Sequence, residues 1–190
     1  MLETLQPRPG ETLLDVGCGT GYFTRRFARD AGSIITGVDP DLHRLEFARG
    51  HAVNREAYVA GRAEILPFAD RSFDCCIAVT SLCFIEGQRK ALEEMARVTR
   101  RRVAVGLLNR HSILYLEKGR GGGTGGYRGA RWHSGREARE LFEGLPLRNL
   151  ILQSAVFLPG GNALAQRIET LLPRTWLRGA FLVVTADVAA

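Results

Sequence analysis

The run LLDVGCGTGYFTRRFA, Leu13–Ala28, constrains this chain more than any other stretch. Leu13, Leu14 and Val16 read as a buried strand interrupted only by Asp15. Helical spacing takes over at Tyr22. Phe23 and Phe27 fall on one face, while Arg25, Arg26 and Arg29 point elsewhere. Between strand and helix, Gly17, Gly19 and Gly21 turn the chain sharply. Glycine permits that turn and lets a ligand approach the main chain without a Cβ in the way. The amides that open the helix lack intrahelical partners and face outward. Such a unit is a cradle for a small molecule, and Asp15 at its lip carries the wrong charge for a phosphate.

The same strand–helix alternation recurs along the chain. Strands are expected at about Thr12–Val16, Ser33–Val38, Ala57–Gly61, Phe73–Val79 and Arg102–Leu108. Helices are expected near Tyr22–Ala31, Leu42–Asn54 and Gln88–Val98. This pattern implies an α/β fold with a parallel sheet and helices on both faces. The second half differs. GRGGGTGG, residues 119–126, is too glycine-rich for regular structure and reads as a mobile loop. A helix near Ser134–Phe142 follows, with Ser134 as its N-cap. Two late strands, Leu147–Leu158 and Ala180–Val188, flank a short helix at about Ala163–Leu172 that Pro173 ends. That helix, with Trp176, covers the sheet or a partner subunit more readily than a membrane surface.

A length of 190 residues, with 45% hydrophobic and 24% charged side chains, fits one domain spanning 1–190. The apolar runs fall short of a membrane span. The opening Met1-Leu2-Glu3 has neither the basic nor the apolar stretch of a secretory leader, so the expected location is cytoplasmic. Cys75 and Cys76 are neighbours on a strand and face opposite ways. They and the other two cysteines, Cys18 and Cys83, read as core thiols rather than metal ligands or a disulfide. The net charge is +6, and only Lys90 and Lys118 of the 26 cationic side chains are lysines. Arginine suits carboxylates and phosphates, yet no aromatic residues interleave the Arg100–Arg102 run. That run reads as a solvated turn, and nucleic acid is not the expected partner.

Asp39 closes the second strand. In a doubly wound sheet the ends of strands one and two are adjacent, at the mouth where ligands bind. A carboxylate there can accept both hydroxyls of a ribose, or can cap the helix that starts at Asp41. A glycine turn followed by an acid also fits a nicotinamide-dependent oxidoreductase. The spacing here is G-C-G-T-G rather than G-x-G-x-x-G, however, and Asp15 disfavours a pyrophosphate while suiting an ammonium group.

LLDVGCGTGYF, GVDPD, GRAEILPFADRSFDCCIAVTSLCFIE and ALEEMARVTRRRVAVGLLNRHS together resemble class I S-adenosylmethionine-dependent methyltransferases over roughly residues 8–110. The resemblance is closest to the subgroup of ubiquinone and menaquinone biosynthesis C-methyltransferases. It implies a Rossmann-like, seven-stranded, three-layer α/β/α fold, mostly parallel with an antiparallel last strand, and S-adenosylmethionine as cofactor. It places Gly17, Cys18 and Gly19 against the methionine part, with Asp15 near its ammonium group. Gly21 allows the close helix start. Asp39 takes the ribose hydroxyls and Pro40 packs on the adenine. Ala63 and Glu64 lie at the adenine edge, and Thr80 faces the methionine moiety and the substrate. The chain departs from the pattern in three places. Arg62 stands where an acid usually contacts the adenine amine. Thr99-Arg100-Arg101-Arg102 replaces a Pro-Gly-Gly turn. About eleven residues precede strand one, where the family carries a covering helix.

The missing cover points to residues 110–134 as a substrate lid. Tyr22, Asn109, Tyr127 and Trp132 are candidates for the acceptor pocket, with a core role equally open to Tyr22 and loop anchoring to Tyr127 and Trp132. His111 and His133 are the candidates for a general base, although a surface or loop-stabilising role suits each of them better. Thr80-Ser81-Leu82-Cys83 replaces the Asn- or Asp-Pro-Pro-aromatic stretch of the nucleobase-amine methylators, which argues against adenine or cytosine amines as acceptors. The expectation is methyl transfer to a small molecule with no metal. A non-catalytic, regulatory cofactor-binding protein is the alternative, and a homodimer stays open.

Overall fold

The computed structural model describes residues 1–53, 56–157 and 172–189. Its chain order is α1 (Leu2–Leu5), β1 (Thr12–Val16), α2 (Tyr22–Ala31), β2 (Ile34–Asp39), α3 (Leu42–Gly50), β3 (Glu56–Ala60), β4 (Phe73–Val79), α4 (Gln88–Val98), β5 (Thr99–Leu108), α5 (Gly135–Glu140), β6 (Leu147–Ala155) and β7 (Phe181–Val188). The seven strands form one sheet in the order β3-β2-β1-β4-β5-β7-β6. β1 to β5 pair in parallel, and β7 runs antiparallel to both β5 and β6. The strand order reverses between β1 and β4, so the ends of β1, β2 and β4 meet at a topological switch point. The helix expected near 163–172 lies outside the described residues except for Leu172.

Alternation along each strand divides the core. Leu14, Val16, Cys76, Ala78, Val103 and Val105 face the layer of α4 and α5, where Leu92, Met95 and Ala138 are buried. Leu13, Cys75, Ile77 and Ala104 face Leu5 of α1 and Phe27 and Ala28 of α2. Cys75 and Cys76 therefore lie on opposite faces, both fully buried, and all four cysteines are free thiols. The result is three layers, with both sheet faces covered. Among the described residues no helix is long and apolar enough to cross a membrane.

Two expectations change. β5 begins at Thr99, so the arginine run lies in the strand rather than in a solvated turn. Each arginine finds a carboxylate from a distant part of the chain: Arg100–Asp74 at 3.1 Å, Arg101–Glu11 at 2.6 Å and Arg102–Asp187 at 2.6 Å. Asp187 is the cross-strand partner of Arg102 in the β5–β7 ladder. The glycine-rich stretch is also folded. Arg120–Gly122 and Gly125–Tyr127 form 3₁₀ turns. Main-chain bonds from Thr124 N–H to Lys118 and from Gly129 N–H to Gly122 close them. At α5, Ser134 and Glu137 form a reciprocal capping box.

Candidate functional site

The turn after β1 is shaped by what lies under each glycine. Gly17, at φ +71°, sits against Ser81, where an added Cβ would come within 2.3 Å of the Ser81 Cβ. Gly21, at φ +74°, sits on the Tyr58 ring. Gly19 has φ +54° and open space where a Cβ would be. The middle glycine thus leaves room above the main chain, as a cradle for a bound group requires.

Asp39 ties the turn to β2. One carboxylate oxygen accepts the Gly19 N–H at 2.8 Å, and the other accepts the Asp41 N–H at 3.0 Å. Capping of α3 falls to Asp41, whose side chain accepts the His43 and Arg44 amides. Asp39 is thereby relieved of that task and lies on the wall of a cleft. The amides of Gly17 and Cys18 both donate to the Val38 carbonyl. The Cys18 side chain points down against Gly37, and burial pushes its thiol far up.

Asp15 lies beneath the turn rather than on the cleft wall. It is 2% exposed and accepts the Thr24 hydroxyl at 2.7 Å. Burial pushes its carboxyl up to about 6, the Thr24 bond opposes this, and the Asp39 charge adds to it.

Gly17, Asp39 and Ser81 border a cleft of about 810 Å³ at the strand ends, whereas Asp15, Cys18, Gly19 and Gly21 are not among the residues that line it. The size is that of an ordinary small-molecule site. Of the residues singled out in the sequence, Gly17, Asp39, Pro40, Ala63, Glu64 and Thr80 line it together. Arg44, Ser81, Phe84, Ile85, Glu86 and Gly126 join them. Gly126 brings the 110–134 segment to the rim. Arg62 also lines the cleft, with its guanidinium 3.1 Å from Glu64. Ser81 had no signal of its own in the sequence; its hydroxyl donates to the Val16 carbonyl and fastens the end of β1 to the turn after β4. Thr80 adopts φ +61°, a left-handed conformation unfavourable for a β-branched residue. Its N–H bonds the Gly106 carbonyl and its hydroxyl the Val79 carbonyl, which hold it there.

Other candidates sit elsewhere. Tyr22 is 58% exposed and lines a separate cavity with Arg25, Arg26 and Arg29. Asn109 is fully buried, donating to the carbonyls of Leu177 and Gly179 and accepting the His111 N–H. His111 itself is exposed. Trp132 is buried between Tyr115 and Tyr127, at ring separations of 5.2 Å and 5.7 Å. His133 is buried behind the cleft, with Nε2 3.2 Å from the Gln88 carbonyl oxygen. That oxygen also accepts from Arg131, so Nε2 carries the proton. Burial lowers its pKa to about 4. His133 is neutral and enclosed, a brace between α4 and the end of β5 rather than a group presented to the cleft.

Residues 14–105 match the family model described as a methyltransferase domain. The malonyl-acyl-carrier-protein O-methyltransferase of Erwinia pyrifoliae is 40% identical over 95 residues, covering 49% of this chain and 36% of that protein. An uncharacterised methyltransferase of Mycobacteroides abscessus is 36% identical over 135 residues, covering 66% and 51%. The chain thus spans about half or less of the length of these curated relatives. Among solved structures, an S-adenosylmethionine-dependent methyltransferase of Thermotoga maritima superposes with a TM-score of 0.76 at 26% identity, covering 98% of this chain and 87% of that one.

Proposed function

We propose, for a chain that carries a methyltransferase domain of the class I S-adenosylmethionine-dependent fold, that it transfers a methyl group to a small-molecule acceptor. The observation that carries this reading is Asp39 on the wall of a cleft shared with Gly17, its carboxylate fastened to the amide of the unobstructed Gly19 in the same turn. When bound, the cofactor supplies a methyl group made electrophilic by a sulfonium. Asp39 would accept the ribose hydroxyls, with Pro40, Ala63 and Glu64 at the adenine. The glycine turn and Thr80 would hold the methionine end. Asp15, under the turn, would act on the ammonium group through the main chain and Thr24 rather than by lying against it.

The catalytic contribution of the chain is then orientation. Holding the acceptor atom in line at roughly 3 Å can contribute on the order of 7–11 kcal/mol. Among the described residues, the acids of the cleft wall are Asp39, Asp41, Glu64 and Glu86, and no histidine, lysine or cysteine lines it. The acceptor class that suits such a wall is nucleophilic without a strong base: a carboxylate, a neutral amine or an acidic enol or phenol. Nucleic acid is not the acceptor in this reading. Residues 110–134, which reach the rim through Gly126, serve as the acceptor-side cover.

Incubating the protein with methyl-labelled S-adenosylmethionine and representatives of those three acceptor classes tests the proposal. Acceptor-dependent formation of S-adenosylhomocysteine is expected from at least one class. A chain that binds the cofactor yet produces none would be a non-catalytic binding protein instead.

A further inference from the structure

The wall at the adenine end of the cleft is a loop, residues 61–72, between β3 and β4. Gly61, Arg62, Ala63 and Glu64 form the part that faces the cleft. Within itself the loop makes only short-range bonds, from Ile65 N–H to Arg62, Phe68 N–H to Leu66 and the Ser72 hydroxyl to Ala69, with the Arg62–Glu64 ion pair. Its position is set from outside, by α4.

The last turn of α4 grips the far half of the loop. Glu94, 8% exposed, accepts the Leu66 N–H at 2.8 Å. The same carboxylate receives the Arg97 guanidinium as a fork, Nε and Nη2 each at 2.8 Å. Arg97 also donates to the carbonyls of Phe68 at 2.9 Å and Leu66 at 3.2 Å, and to Asp70 at 2.6 Å. Its own carbonyl accepts the Arg71 N–H at 2.9 Å. At the other end of the helix, Gly87 packs against Glu64, where an added Cβ would lie 3.1 Å from Glu64 Cγ. The loop therefore lies along α4 and is held at both of its ends. The Arg97 bonds outweigh burial and keep the Glu94 carboxyl below its ordinary range, so the pair stays charged. A planar guanidinium can serve a carboxylate and two carbonyls at fixed angles, and an ammonium cannot.

We propose that Glu94 and Arg97 are positioning residues for the nucleoside end of the cleft. They hold the 61–64 wall at the depth a purine requires, and they do so through Leu66 and Phe68 without touching the ligand. This rests on the methyltransferase reading and extends it to residues on a helix outside the cleft.

The test uses the full chain carrying Arg97→Met, Arg97→Lys or Asp70→Ala. Three quantities are read: the Kd for S-adenosylhomocysteine by calorimetry, exchange of the Leu66 amide, and KM for the methyl donor against kcat. Arg97→Met is expected to raise Kd and KM about tenfold, equivalent to about 1.4 kcal/mol, with kcat at saturation unchanged. Leu66 exchange should accelerate in parallel. Arg97→Lys should raise Kd about threefold, and Asp70→Ala, which loses one exposed arm, should leave it close to wild type. A folded Arg97→Met protein that binds as tightly as wild type overturns the inference. Where Arg97→Met does not fold, Arg97→Lys decides: faster Leu66 exchange with unchanged Kd overturns it. A wild-type chain that binds no S-adenosylhomocysteine overturns the functional reading and this inference together, whereas wild-type binding with indifferent variants overturns only this one.

Discussion

Replacing Asp15 with Asn should stabilise the ligand-free protein near neutral pH. Burial raises the Asp15 carboxyl from 3.8 to about 6. Below pH 3.8 the group is protonated in both folded and unfolded chains and has no effect. Between those values the unfolded chain releases the proton while the folded chain retains it. Stability therefore falls as pH rises through this window, and the full penalty applies above it. The rise from 3.8 to about 6, at about 1.36 kcal/mol for each tenfold change in proton affinity, gives roughly 3 kcal/mol. Asn keeps the carbonyl oxygen that accepts the Thr24 hydroxyl and cannot ionise. The Asp15→Asn protein should match wild type near pH 4 and exceed it at pH 7.5 by up to about 3 kcal/mol, or roughly 6–12 °C in Tm. Urea unfolding of both proteins at half-unit steps from pH 4 to pH 8 measures the difference directly. Taking that difference cancels the titrating groups that do not sense the Asp15 charge. A variant less stable than wild type at pH 7.5, or a difference that does not grow with pH, would refute the argument.

Three further outcomes follow from local geometry. His133 runs opposite to Asp15: with its pKa lowered to about 4, stability should fall as pH drops from 6.5 toward 4, and His133→Gln should flatten that limb in the same urea series. Its enclosure also means that the pH profile of methyl transfer should show no inflection near 6.5 attributable to it. Thr80→Gly removes a strained left-handed conformation worth about 1–3 kcal/mol, so its urea midpoint should rise, offset in part by the greater freedom of glycine when unfolded. Gly19→Ala and Gly21→Ala should separate: the first places its methyl in open space on the turn and should weaken S-adenosylhomocysteine binding, while the second drives a methyl onto Tyr58 and should lower Tm.

Much of the architecture was legible because local rules and the global fold agree. The apolar runs of β1 and β4 mark strands buried on both faces, and the glycine turn and Asp39 announce a ligand mouth from a short stretch of sequence. What was hidden is long-range. The partners of Arg100, Arg101 and Arg102 come from β4, from before β1 and from β7, so the run looked solvated when it was paired. Likewise Glu94 and Arg97 carry no signal in the sequence, because their partners lie on the β3–β4 loop laid across the helix. Trp132 and Asn109 were attractive as pocket residues because aromatic and amide side chains beside a loop so often bind ligands. Here Trp132 takes the loop-anchoring role that the sequence left equally open, packed between Tyr115 and Tyr127, and Asn109 satisfies the carbonyls of Leu177 and Gly179. Thr24 gave no signal because its role, donating to a buried carboxylate one turn away, depends on how α2 docks on β1.

The central claim is that this cleft takes S-adenosylmethionine through Asp39. Calorimetric titration of S-adenosylhomocysteine into wild-type and Asp39→Ala proteins tests it most directly. One site per chain is predicted for wild type, with the variant weakened by about 3 kcal/mol, more than a hundredfold, for the loss of charge-assisted bonds to a diol. Equal affinity in the two proteins, or no binding to wild type, would contradict the account.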